Sequence, residues 1–290
     1  MKKILPLFPP HHTYVEPFGG GASVILAKPP SPVEVYNDID SGLVNLFRVL
    51  RDPKQFQEFY RKVSLTPYSR EEHRFCLETW ENCEDPVEKA YRFFILVRQG
   101  FSGKIGTGWS FSVTTSIHKM ARATASYLSA IEMLPEISAR LLQVQIENKD
   151  FREIFAIYDT PRTLFYCDPP YVQSARKDKK VYRYEMSDDD HKELLDILLG
   201  IKGLAVVSGY DNPLYKVLDE AGWERYEFET VCFALGRTRW TGVQGKGAAL
   251  RLAPRTEVVW VKPWRDALNL ELVNPLIPDR NEVTVEESEA

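Results

Sequence analysis

Thr13-Tyr-Val-Glu-Pro-Phe-Gly-Gly-Gly-Ala-Ser23 opens as a strand-forming run and breaks at three consecutive glycines. Residues 13–18 read as a strand, Gly19 to Gly21 as a tight turn and Ala22 to Lys28 as a short helix. Val33-Glu-Val-Tyr36 follows as a second strand and ends at Asn37-Asp38. Ser41 to Leu50 carries Leu43, Leu46, Phe47 and Leu50 at helical spacing and stops at Asp52-Pro53. Strand, helix, strand, helix is the start of a doubly wound α/β domain. Glycines between a strand and a helix let the backbone turn sharply and approach a ligand closely. Asp38, about 20 residues after the turn, is placed to bond a ribose hydroxyl pair. The parts in this order favour an adenosine-type cofactor over a plain structural turn. The spacing is not G-x-G-x-x-G, which weighs against a dinucleotide, and no Walker lysine-serine pair marks an NTP site.

From Pro53 to Leu142 the chain turns helix-rich, with helices expected over Lys54–Val63, Arg70–Thr79, Pro86–Arg98 and Ala121–Glu132. A glycine-rich loop, Gly100 to Gly108, interrupts them, and Trp109 and Phe111 beside it read as core packing ahead of an intercalating wedge. Strands resume at Leu142–Ile146 and Thr163–Cys167. Asp188–Gly200 is an amphipathic helix, Leu204–Ser208 a buried strand and Asn212–Ala221 another helix. Glu227–Ala234 and Glu257–Lys262 would close the sheet as an antiparallel pair around a basic, glycine-rich loop. The expected organisation is a discontinuous catalytic domain, 1–52 and 143–265, around a helical insertion, 53–142. Residues 266–290 form a C-terminal extension whose acidic end is expected to be disordered.

The run Thr163-Leu-Phe-Tyr-Cys167 delivers Asp168-Pro-Pro-Tyr171 to the C-terminal end of a strand, the edge where open α/β sheets bind ligands. Two prolines cannot continue a central strand, so the backbone leaves the sheet there. Their carbonyls remain acceptors beside a carboxylate and a flat ring. Such a cluster suits a planar group with an amino substituent, such as a nucleobase. Alone, the tripeptide reads equally well as a turn after a buried strand.

With 44% hydrophobic and 27% charged residues, the composition is that of a globular protein. No stretch approaches the roughly 20 apolar residues of a membrane span. The start, Met1 to Pro10, is basic but too short and proline-broken in its apolar part for a signal peptide. The four cysteines include no C-x-x-C pair, so reduced thiols, no metal site and a cytoplasmic location are expected. The net charge of −4 hides its distribution. No acid lies between Glu88 and Glu132, a stretch with six cations, or between Glu229 and Glu257, a stretch with five. A third basic run is Arg176-Lys-Asp-Lys-Lys180, while Asp279 to Ala290 holds five acids against one Arg. Localised basic segments on an acidic average fit a one-sided polyanion-binding face.

These features together resemble the Dam-like N6-adenine-specific DNA methyltransferases, which use S-adenosylmethionine. The resemblance rests on YVEPFGGGAS (14–23), VYNDID (35–40), the Arg98–Gly103 region, IENKDF (146–151), LFYCDPPY (164–171) and SGYDNPLY (208–215), in that order. It implies a Rossmann-like methyltransferase sheet with an antiparallel final strand and an inserted recognition domain. It implies that Glu16, Pro17, Phe18, Gly19, Gly20 and Gly21 line the cofactor, that Asp38 binds its ribose, and that Asp150 and Phe151 flank its adenine. Asp168 and the Pro169 carbonyl, followed by Pro170, would accept the target amine's hydrogen bonds, and Tyr171 would stack on an adenine rotated out of the duplex. Arg98, Lys104 and Lys119 from the insertion, and Arg237, Arg239 and Lys246 near the C-terminus, become DNA contacts. Double-stranded DNA is then the partner, with a cognate restriction endonuclease in a restriction-modification setting, and a monomer suffices. The family's Gly-Gly-Lys-bearing segment is matched only at its end by Met1–His12, which implies either a true start upstream or fewer cofactor contacts there. Other readings are a cytosine-N4, RNA or protein-amide methyltransferase, and a catalytically weak or silent DNA-binding relative.

Overall fold

A computed structural model describes residues 3–172, 183–231 and 254–264. Arg237, Arg239, Lys246, Cys232, the 176–180 basic run and the 266–290 extension lie outside the described residues. The opening reading stands element for element as β1 (Thr13–Glu16), α1 (Ser23–Ala27), β2 (Val33–Asn37) and α2 (Ser41–Arg51). The α2 helix begins where the Asp40 side chain accepts from the Gly42 N–H. It gives way at Asp52, which caps α3 (Pro53–Leu65), where Pro53 sits in a first turn that needs no N–H.

Next come α4 (Arg70–Thr79), capped by Ser69, and α5 (Pro86–Gln99), capped by Asp85. A hairpin absent from the sequence reading follows, β3 (Ser116–Ile117) and β4 (Met120–Ala121), turning through His118 and Lys119 at positive φ. After α6 (Arg122–Glu132) comes α7 (Leu134–Leu141), also unanticipated. The strand expected from Leu142 starts only at β5 (Gln145–Glu147), because Leu141 and Val144 are buried as the end of a helix and its turn. Then follow α8 (Phe151–Tyr158), β6 (Thr163–Cys167), α9 (Asp188–Gly200), β7 (Leu204–Tyr210), α10 (Lys216–Glu220), β8 (Glu224–Val231) and β9 (Pro254–Val261). The single helix expected over 212–221 divides into a 3-10 turn, Pro213–Tyr215, and α10.

The sheet runs β5-β2-β1-β6-β7-β9-β8, parallel from β5 to β7 and antiparallel at both β9 contacts. This is a Rossmann-like sheet with an antiparallel closing strand. Alternate residues face two cores, as a sheet buried on both sides requires. Tyr14, Tyr36, Leu164, Tyr166 and Val206 pack with α1, α2 and the helices of 53–141. Val15, Val35, Phe165, Cys167 and Val207 pack with α8, α9 and α10. The helices after α2 therefore share a core with one face of the sheet. Among the described residues no helix is long and apolar enough to cross a membrane.

Candidate active site

Because β5, β2, β1, β6 and β7 are parallel, their C-terminal ends share one sheet edge. The chain proceeds from β1 outward to β2 and β5, then back to β6 on the other side, so the crevice between β1 and β6 is a topological switch point. The glycine turn, Asp38, Asp150, Asp168 and Tyr210 each follow or close one of these strands. Buried Asn37 ties three loops together. Its amide donates to the Pro17 and Lys149 carbonyls at 2.8 and 3.0 Å, and its oxygen accepts from the Lys149 N–H at 2.8 Å.

The cleft over this edge holds about 330 Å³ and is walled by Pro17, Phe18, Gly20, Asp38, Ile39, Asp150, Phe151, Asp168 and Pro170, together with Arg183 to Met186. Gly20 adopts φ 48°, and its N–H donates to Asp38 Oδ2 at 2.8 Å. Asp38 Oδ1 accepts the Asp40 N–H at 2.8 Å, so the carboxylate is oriented from two sides. Burial raises its pKa despite those bonds. Phe18 and Phe151 lie 5.4 Å apart between ring centres and give the cleft an aromatic wall. Asp150 caps α8 through the Arg152 N–H at 2.9 Å. Arg152 also reaches Asp190 and Glu193 at 2.7 and 2.6 Å, joining the starts of α8 and α9.

Asp168 opens to the cleft on one side while protein crowds it on the others. Burial, then the nearby Glu257 charge, raises its carboxyl to about 6, against a hydrogen bond from Tyr171 that lowers it. Pro169 is buried behind it. The Tyr171 ring lies 4.3 Å from that of Tyr210. Glu16 is not on the cleft wall. It lies behind the turn, 2% exposed, and accepts from the Tyr14 hydroxyl at 2.8 Å. Burial pushes its carboxyl to about 8, and the Asp168 charge adds to the rise. Gly19 and Gly21 are also off the wall; Gly19 packs directly on the Tyr36 ring.

A family model matches residues 1–227, the description being D12 class N6 adenine-specific DNA methyltransferase. The chain belongs to the D12 class of N6 adenine-specific DNA methyltransferases. A search of curated proteins returned no match. In this D12 chain the match covers the glycine turn, Asp38, Asp150, the Asp168–Tyr171 segment and the helices between α2 and β5, while β9 lies beyond it. Arg98, Lys104 and Lys119 are exposed on and after α5. Phe111 is 54% exposed, so it is not core; it stacks on Trp109 at 5.9 Å, with Arg70 over both rings and Tyr68 against Trp109. Cys76, Cys83 and Cys167 are free thiols. Sequence reasoning missed Arg152 and Arg183 on the D12 cleft wall. Arg152 carries a signal, since it directly follows the Asp150-Phe151 pair, whereas Arg183 carries none.

Proposed function

We propose that this chain transfers the methyl group of S-adenosylmethionine to the exocyclic amine of an adenine rotated out of duplex DNA. The observation that carries the reading is one sheet edge on which a ribose-type acid, an aromatic-walled cleft and the Asp168–Tyr171 acceptor cluster converge. The residues suit that cofactor. Asp38 is a fixed acceptor for a diol, Phe18 and Phe151 offer flat apolar faces for a purine, and the Gly20 turn admits a close approach. When bound, the cofactor supplies a methyl group already activated on a sulfonium.

Asp168 and the Pro169 carbonyl would accept the two N–H bonds of the target amine and turn its nitrogen lone pair toward the methyl. Above about pH 6 Asp168 is ionised and stands as the acceptor beside the proton the amine must shed. Tyr171, steadied by Tyr210, would stack on the extruded base. Positioning and exclusion of water would then supply most of the rate. Residues 53–142 would act as the recognition insertion, with Arg98, Lys104 and Lys119 on phosphates or base edges, and Arg237, Arg239 and Lys246 as further backbone contacts. The test is nucleoside mass spectrometry of DNA from a host lacking adenine methylases. N6-methyladenine should appear with the wild-type chain and vanish with Asp168→Ala. Equal methylation by Asp168→Ala would refute the assignment.

A further inference from the structure

Arg183 lines the cleft, and its guanidinium reaches two other parts of the molecule. Nη1 donates to Asp40 Oδ1 at 2.9 Å across 143 residues of sequence. The same group lies 4.4 Å over the Trp80 ring, at the C-terminal end of α4, and 3.8 Å from Glu81. Asp40 is no idle partner. It caps α2, and its N–H donates to Asp38 Oδ1, while Asp38 Oδ2 accepts from Gly20. One hydrogen-bonded path thus runs from the guanidinium to the glycine turn.

Immediately after Arg183, Tyr184, Glu185 and Met186 form one stretch of the cleft wall. That wall is anchored at its far end by buried Met186 and by Ser187, whose side chain and backbone exchange hydrogen bonds with Asp190 at the start of α9. Its near end is held through Arg183. A solvent-exposed ion pair would add little. Here the Arg183 and Asp40 side chains are 36% and 15% exposed, so the pair is half-shielded, and the indole of Trp80 covers one guanidinium face.

We propose that Arg183 is a positioning residue for the cofactor: by clasping Asp40 and Trp80 it holds the 184–186 wall against the Asp38 side of the cleft. The proposal rests on the methyltransferase reading above. It assigns Arg183 to cofactor affinity rather than to the transfer step, because the guanidinium bonds the side chain of the residue whose backbone N–H orients Asp38. The 53–142 helices thereby gain a physical link to cofactor binding through Trp80.

The experiment measures S-adenosylmethionine affinity by calorimetry on the full chain, together with KM for the cofactor and kcat on duplex DNA. Arg183→Ala should raise Kd and KM about tenfold, the sum of a half-shielded ion pair and a cation–π contact, while kcat at saturating cofactor changes far less. Arg183→Lys, which keeps the charge and loses the planar stack, should recover part of the loss. Asp40→Asn, which keeps an oxygen to cap α2, should weaken binding about threefold in the wild-type background and add nothing to Arg183→Ala. Unchanged cofactor affinity in Arg183→Ala, a fall in kcat alone, or equal Asp40→Asn effects in both backgrounds would overturn the proposal. Should Arg183→Ala fail to fold, the Lys and Asn variants carry the same comparison. A wild-type chain that binds no S-adenosylmethionine would instead refute the reading beneath it, before any variant is compared.

Discussion

A methyl group added at Gly19 tests the packing that fixes the glycine turn. A Cβ there would press closest on Tyr36 Cε2, and would stand 2.5 Å from Cδ2 and 2.9 Å from Cζ. Carbon atoms in contact prefer about 3.5–4.0 Å, so the overlap is more than about 1 Å. The Tyr36 ring cannot yield cheaply. It is fully buried, meets Phe47 edge-on at 4.9 Å, and its hydroxyl donates to the Gly20 carbonyl at 2.7 Å. The penalty is steric rather than conformational, since Gly20 and not Gly19 holds the positive φ. Overpacking of this kind costs about 1–3 kcal/mol, and loss of the tyrosine hydrogen bond about 1 kcal/mol more. For a chain of this size Gly19→Ala should therefore lower the melting temperature by roughly 5–15 °C. Scanning calorimetry reads that shift. In a Tyr36→Leu background, which clears the space, the same alanine should cost much less. A Gly19→Ala melt matching wild type, or an undiminished penalty in the Tyr36→Leu background, would refute the packing argument.

Single-turnover methylation should rise about tenfold per pH unit up to about pH 6 and then level, as the Asp168 carboxyl loses its proton. Glu257→Gln removes the like charge that helps hold Asp168 up, so the limb should move to lower pH; a stationary limb would exclude Asp168 as the titrating group. Glu16 keeps its proton in the folded chain up to about pH 8, whereas the unfolded chain releases it near 4.5. The folded state thus binds the extra proton across that window, and stability should fall as pH rises through it. Glu16→Gln should flatten the loss between pH 6 and 8, and an unchanged slope in thermal melts would locate it elsewhere.

Much of this fold was legible because local chemistry and tertiary demand agree. Ser187 and Gly200 bracket α9 at the residues the pattern gives, and Asp52-Pro53 both ends α2 and starts α3. The α8 helix escaped notice although Asp150 caps it and Phe151, Ile154 and Phe155 share a buried face, because its aromatic, β-branched composition is as strand-like as helical. The α7 helix was hidden by Pro135, which sits at its permissive first turn, and by an apolar tail that resembles a strand. For the candidate site, Asp38, the glycine turn and Asp168 could be read because each closes a strand. Arg183 could not, since its partners Asp40 and Trp80 lie more than a hundred residues away and pairings of that range leave no local periodicity.

The strand order has a bearing on how the chain assembles as it is synthesised. β9 lies between β7 and β8, yet it is made after both. Until residues 254–261 emerge, Leu204–Tyr210 presents a bare, apolar edge and β8 has no neighbour to pair with. An open edge of that kind is a template for pairing with other chains. The span that carries the family signature, 1–227, stops short of the strand that seals this edge, so a piece cut there would keep every cleft-wall residue and still be prone to self-association.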